Sequence, residues 1–168
     1  MAQADLSKLK DISTFVFDVD GVFTDGQILV TEEGKLLRSM NIKDGYALKT
    51  ALNAGYKVLI ITGGKSEGVQ TRFQNLGVQW IYQGISNKEE CIRNAFKEHG
   101  ILPHECLYMG DDLPDLPAMQ HCHIKVAPRD AAWEVCSICD FVTAADGGKG
   151  AVREIIEKVL KLRGDWKY

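Results

Sequence analysis

The sequence contains no apolar run near the ~18 residues that a membrane-crossing helix needs, and no run of lysine or arginine that would form a basic patch. Its formal net charge is −3, so it lacks the general attraction for polyanions on which nucleic-acid and anionic-membrane binding rest. Residues 1–10 carry no charged-then-apolar leader, which leads to the expectation of a soluble cytoplasmic protein. Internal repeats, low-complexity stretches and linkers are missing as well. The five cysteines are odd in number and mostly scattered, which argues against a disulfide framework. Cys136 and Cys139 have a metal-ligand spacing, with His121, Cys122 and His123 upstream. A lone pair of this kind recurs by chance, and burial of free thiols is the simpler reading. These absences leave a small-molecule partner.

What is present is apolar material, 45% of 168 residues, sufficient for one domain over 1–168 with a full core. The organising stretch is Phe15-Val16-Phe17-Asp18-Val19-Asp20-Gly21, an apolar run that ends in two carboxylates and a glycine. Residues 12–19 are rich in β-branched and aromatic side chains and read as an interior strand of a parallel sheet. Asp18 and Asp20 at its carboxyl end project to the same side, about 7 Å apart along the strand. Two such charges at ~4 Å repel by roughly 4 kcal/mol at an effective dielectric of ~20, so a nearby cation is required, and hard oxygen ligands favour magnesium. Capping of a turn is the alternative use of the same residues.

Downstream, residues 26–31 and 35–41 form two β-rich runs around a glycine-containing loop and read as a hairpin inserted after the first strand. Such a ribbon is marginal alone in water and is expected to pack against another subunit. Helices are expected over 44–54, 66–76, 86–99, 131–136 and 150–162, with a short one ending near 120. Buried strands are expected over 57–61, 78–82, 106–109, 123–127 and 141–143. The last helix is amphipathic, and the tail 164–168 with Trp166 and Tyr168 either lies against a neighbour or frays. The alternation defines an α/β fold, a Rossmann-like three-layer sandwich with a mostly parallel central sheet.

In such a sheet ligands bind beyond the carboxyl ends of the strands. Asp18 and Asp20, Thr62, Lys88 and Asp111 each follow a different strand, so all arrive at one edge. Thr62-Gly63-Gly64 offers a hydroxyl and unhindered N–H groups for phosphate oxygens, or a plain helix cap. Ser86 and Glu89 have capping-box spacing and place Lys88 in a first helical turn, where the helix dipole disfavours a cation. That broken local rule marks a functional position. Asp112 and Asp115 suit a cap and its third position, or a second shell holding Lys88 or metal-bound water. The chemistry that fits is phosphoryl transfer through an aspartyl-phosphate. Asp18 is the nucleophile, Asp20 the acid/base, Asp111 a metal ligand, and Thr62, Gly63 and Lys88 hold the phosphate.

With DVDGVFTDG, the ITGG threonine, SNK and GDDLPD in this order, the chain resembles the haloacid dehalogenase superfamily of phosphatases over nearly its whole length. NIKDGYALK at 41–49, YQGISNK at 82–88 and GGKGAVREI at 147–155 are similar to its small capless branch, which acts on sugar-acid phosphates. The resemblance implies a magnesium enzyme with Asp18, Asp20 (through its carbonyl) and Asp111 on the metal. It implies hydrolysis of 3-deoxy-D-manno-octulosonate (KDO) 8-phosphate in lipopolysaccharide biosynthesis, with nine-carbon sialic-acid-type 9-phosphates as the alternative. It also implies a homotetramer in which the hairpin takes part and a neighbouring subunit covers the site. Sugar contacts carry over to Asn41, Lys43, Asp44, Gly45, Lys49, Gly64 and Arg72. Many members have arginine where Lys43, Lys49 and Gly64 stand here, and lysine keeps the charge without the bidentate fork. Lys65 and Arg72 also fit a solvated helix face.

A phospho-acceptor receiver domain uses similar residue types on a parallel sheet. There the phosphorylated aspartate follows the acidic pair by one or more strands, whereas here the pair itself ends strand one. A sugar-phosphate-binding subunit without activity is the other non-enzymatic alternative.

Overall fold

The computed structural model describes residues 6–167, so residues 1–5 and Tyr168 lie outside the described residues. A six-stranded parallel sheet has the order β5-β4-β1-β6-β7-β8. The strands are β1 (Thr14–Phe17), β4 (Lys57–Ile61), β5 (Trp80–Tyr82), β6 (Cys106–Met109), β7 (Ile124–Ala127) and β8 (Phe141–Val142). Two short strands, β2 (Leu29–Val30) and β3 (Leu36–Leu37), pair antiparallel as the hairpin.

The period-two pattern of the strands divides the interior between two helical layers. Phe15 and Phe17 of β1, Val58 and Ile60 of β4, and Leu107 and Met109 of β6 face one side. They meet α1 (Ile42–Asn53), α2 (Glu67–Leu76) and α6 (Ala151–Arg163) there. Val16, Leu59, Ile61 and Tyr108 face the other side, against α3 (Lys88–His99), α4 (Leu116–Met119) and α5 (Trp133–Ile138). On the first side an aromatic series runs through Phe17, Phe23 and Phe73, with ring centroids 5.3 and 4.9 Å apart. Each such fully buried side chain contributes roughly 1.5–3 kcal/mol.

Register fixes the functional edge. Phe17 pairs with Ile60 of β4 and Met109 of β6, so Asp18, Thr62 and Asp111 leave the sheet at nearly the same height.

Several helix boundaries differ from the sequence expectation for local reasons. Helix α1 starts at Ile42 because Asn41 caps it, its side chain accepting the Lys43 N–H at 2.9 Å. Asp44 therefore lies inside the first turn, fully buried, and its carboxylate accepts the Arg153 N–H of α6 at 2.7 Å. Gly150, the residue before α6, supplies no side-chain cap, so Asp44 acts as an N-cap lent by another helix. In α3 the cap is Asn87, which accepts the Glu90 N–H at 3.1 Å. The same spacing holds one residue later than Ser86–Glu89, and Lys88 remains in the first turn. The tail docks on its own chain: the Arg153 guanidinium stands 4.5 Å from the Trp166 ring, and the Tyr56 hydroxyl donates to Asp165 at 2.8 Å.

The hairpin is shorter than its sequence runs, and its apolar residues face outward. Leu29 is 67% exposed and Val30 62%.

Burial pushes the Asp44 carboxyl up to about 6, against the hydrogen bonds from the α6 N-terminus. A carboxyl that binds its proton more tightly in the folded chain makes stability fall as pH rises from the unfolded-state range near 4 through 6. Asp44→Asn keeps an acceptor and removes the titration. Urea unfolding at a series of pH values should show the stability of wild type falling relative to Asp44→Asn by up to about 3 kcal/mol between pH 4 and 6.5.

Candidate active site

The first carboxylate is placed by the turn that ends β1. The Asp18 N–H still donates to the Met109 carbonyl at 3.1 Å, and the Val19 carbonyl then accepts the N–H groups of Val22, Phe23 and Thr24. Gly21 bends the chain with φ +80°, and the Thr24 hydroxyl oxygen accepts the Gly21 and Gly26 N–H groups at 3.2 and 3.3 Å. A Cβ at Gly21 would stand 1.9 Å from an Asp111 carboxylate oxygen, so the two loops touch backbone to carboxylate. Gly147 and Gly148 press on the turn from behind: a Cβ at Gly147 would lie 1.8 Å from the Gly21 carbonyl oxygen.

Asp115 is the fixed point of the acidic loop after β6. One oxygen accepts the Lys88 ammonium and the Tyr108 hydroxyl, both at 2.8 Å. The other accepts the Asp111 and Asp112 N–H groups at 3.2 and 3.4 Å. Asp112 caps the short 3-10 turn Leu113–Asp115 in a capping box with Asp115. With four donors already on its two oxygens, Asp115 is better suited to support the loop than to bind a metal.

Lys88 is buried and bridges the site, reaching Asp18 Oδ2 at 2.9 Å and Asp115 Oδ1 at 2.8 Å. Burial disfavours its charge, but the two carboxylates outweigh that and hold the ammonium above its ordinary range. Burial raises the Asp18 carboxyl, as does the Asp115 charge, while Lys88 opposes both. Asp111 is pushed up to about 7 by burial and then by Asp18, Asp115 and Asp112, again against Lys88. Several anions thus crowd one ammonium.

This surplus suits a divalent cation. Oxygens of Asp18, Asp111 and Asp115 lie within 4.8 Å of one another. Asp115 already accepts four hydrogen bonds, which leaves Asp18 and Asp111 as the candidate ligands, and among the described residues Asp18 Oδ1, a buried oxygen, has no hydrogen-bond partner. All donors are hard oxygens, which fits magnesium. Asp20 adds no carboxylate oxygen to this group, since its carboxyl turns to Arg38, with Nε to Oδ1 at 2.6 Å and Nη2 to Oδ2 at 3.2 Å.

Thr62 is buried, its N–H donates to the Tyr82 carbonyl, and its hydroxyl oxygen accepts the Gly64 N–H at 3.1 Å. A hollow of about 550 Å³ brings together Asp18, Asp20, Thr62, Gly63, Gly64, Lys88, Asp111, Asp112 and Asp115. The other expected contacts lie elsewhere in the single chain. Asn41 is a helix cap, Lys43 is exposed, and Asp44 is buried against α6. Gly45 packs under Arg72, which lines a neighbouring cleft of about 830 Å³ with Lys35, Arg38 and Lys65. Lys49 lines a third hollow with Tyr46 and Asp165. Sequence reasoning missed Arg38, which no local pattern marks, and Tyr108, where a phenol on a fully buried strand could have signalled a polar partner.

A parallel sheet whose first loop carries two aspartates, completed by a threonine, a buried lysine and an acidic loop, defines a haloacid dehalogenase-like hydrolase. Residues 42–123 match the family model described as haloacid dehalogenase-like hydrolase. KDO 8-phosphate phosphatase KdsC of Escherichia coli K12 is 38% identical over 159 residues, covering 95% of this chain and 85% of that protein. The Haemophilus influenzae KdsC is 34% identical, with 94% and 87% covered. The chain belongs to the KDO 8-phosphate phosphatase family. The Yersinia pestis member has a crystal structure with TM-score 0.94 and 32% identity, covering 98% of this chain and 89% of that one. The Moraxella catarrhalis enzyme, in complex with magnesium, phosphate and KDO, gives TM-score 0.92 and 35% identity, with 95% and 92% covered.

The contact between Gly21 and Asp111 yields a direct test. Gly21→Ala should displace the Asp111 carboxylate, and the positive φ adds strain. Calorimetric titration of magnesium should show at least about tenfold weaker binding, with the circular dichroism spectrum unchanged.

Proposed function

We propose that this protein is a magnesium-dependent phosphatase that hydrolyses KDO 8-phosphate to KDO and inorganic phosphate. The carrying observation is the pairing of Asp18, whose Oδ1 has no hydrogen-bond partner among the described residues, with the buried ammonium of Lys88 at 2.9 Å. The 35% identical neighbour that holds magnesium, phosphate and KDO supports the substrate and the metal.

A carboxylate oxygen of Asp18 attacks phosphorus, the bond from phosphorus to the sugar oxygen breaks, and Asp20 gives that oxygen a proton. The Asp20 carboxylate then takes a proton from a water that attacks the aspartyl-phosphate. The bond from phosphorus to the Asp18 oxygen breaks, and phosphate leaves. Lys88, the Thr62 hydroxyl and the Gly63 N–H hold the phosphoryl oxygens, where charge stabilisation dominates this reaction. Asp18, Asp111 and the Asp20 carbonyl would hold magnesium, which when bound would add to the neutralisation of those oxygens. Asp112 and Asp115 keep Asp111 and Lys88 in place.

The sugar end extends past Gly64 toward the cleft of Arg72. Asn41, Lys43 and Lys49 complete its surroundings in a homotetramer, while Asp44 and Gly45, buried beneath them, support the helix that carries them. The outward apolar face of the hairpin, with Ile28, Leu29, Val30, Leu36 and Leu37 all at least 44% exposed, supports this assembly. The chain forms one domain over 1–168 and works in the cytoplasm in lipopolysaccharide biosynthesis.

Phosphate release should be measured across a panel of sugar phosphates with magnesium and with EDTA. KDO 8-phosphate should be turned over fastest and EDTA should abolish release, whereas faster turnover of a nine-carbon 9-phosphate would move the assignment to that substrate. Asp18→Asn should lower kcat by at least about a thousandfold while remaining folded, and full activity would exclude Asp18 as nucleophile. In sedimentation velocity the wild type should run as a tetramer, and Leu29→Asp with Leu37→Asp should yield smaller species.

A further inference from the structure

Arg38 lies just beyond β3, at the foot of the hairpin, and its side chain is 7% exposed although the hairpin itself stands in solvent. Its guanidinium meets Asp20 as a fork. Nε donates to Oδ1 at 2.6 Å, Nη2 donates to Oδ2 at 3.2 Å, and Nη1 reaches the Leu36 carbonyl at 3.4 Å. Charge-assisted forks of this kind fix the plane of a carboxylate as well as its position. Asp20 keeps 34% of its side chain open, so the fork orients it without sealing it off.

The two Asp20 oxygens are not equivalent. Oδ1 takes the short bond. Oδ2 faces the space above Gly64, where a Cβ would stand 3.1 Å from Oδ2, 3.2 Å from Arg38 Nη2 and 3.5 Å from the Thr62 hydroxyl oxygen. The more loosely held oxygen is thus the one aimed at the phosphate hollow. The missing side chain at Gly64 leaves room for the fork.

We propose that Arg38 is the positioning residue for Asp20: it anchors Oδ1 and aims Oδ2 at the leaving oxygen, which makes the hairpin a working part of the site. The proposal rests on the reading of Asp20 as the group that protonates that oxygen. A misplacement of about 1 Å at such a group costs on the order of a hundredfold.

The test uses the demand of the leaving group. An alkyl alcohol leaves only when protonated, whereas p-nitrophenolate leaves without a proton, and kcat/KM reports the step up to transfer onto Asp18. Arg38→Ala should lower kcat/KM for KDO 8-phosphate by about a hundredfold and that for p-nitrophenyl phosphate by only a few-fold. Arg38→Lys, which keeps the charge and loses the fork, should fall between Arg38→Ala and wild type on the alkyl ester. Equal losses on both esters, or an alkyl-ester loss within twofold, would overturn the proposal. Should Arg38→Ala fail to fold by circular dichroism, Arg38→Gln, which keeps the aliphatic stem and a neutral N–H near the position of Nε but loses the fork, decides by the same ratio. If the wild type ignores KDO 8-phosphate, the substrate reading fails, and the ratio is read on whichever alkyl phosphate is turned over best. If no alkyl phosphate is hydrolysed with magnesium, the phosphatase reading and the role of Arg38 fall together.

Discussion

The molecule depends on a buried ammonium held between two carboxylates. Lys88 lies 2.9 Å from Asp18 and 2.8 Å from Asp115, deep enough that each partner without the others would be a desolvated, uncompensated charge. Removing one member of such a group typically costs 3–5 kcal/mol, so the cluster is kept for what it does. The first turn of a helix is a poor place for a cation, and the two acids are what make it tenable. In return, Asp18 is held ready in a pocket where its own burial works against its charge.

Around this cluster the fold acts as a jig. Parallel register brings the ends of β1, β4 and β6 to one height, and glycines allow the loops that follow to approach more closely than side chains would permit. Gly21 lies against Asp111, Gly110 against Asp115, and Gly147 against Gly21. Tyr108, projecting from β6 into the second layer, gives its hydroxyl to Asp115, so core packing and site geometry are joined through one carboxylate. The hairpin enters the same network through Arg38 and Asp20.

Much of this was legible in the sequence because it follows from local chemistry. The strand over 57–61 has in the structure the bounds that the sequence predicts, and the helix stops at Gly77 and Gly100 follow from left-handed glycine. The shared edge of Asp18, Thr62, Lys88 and Asp111 followed from the alternation of strands and helices. What could not be read there belongs to tertiary partners. Asp44 looked like a helix opener because aspartate favours caps, yet it caps a helix more than a hundred residues away. Asn87 displaced Ser86 as a cap because two good candidates were adjacent, and propensity alone does not rank them. Arg38 carries no signal in its neighbourhood; only the folding back of the hairpin gives it Asp20. The sequence leaves Trp166 a choice between a neighbour and fraying, and in the fold the Arg153 guanidinium takes it up instead.

The glycine pair at 147 and 148 adds a matter of timing. The turn carrying Asp18 and Asp20 is made early in synthesis, but the loop that braces it, through the Gly148 N–H on the Val22 carbonyl at 2.9 Å, is made more than a hundred residues later. Contacts so distant along the chain form late, because a long segment must first be closed. A growing chain therefore carries the turn of Asp18 and Asp20 without this brace until the loop at 147–148 has been made and has folded back onto it.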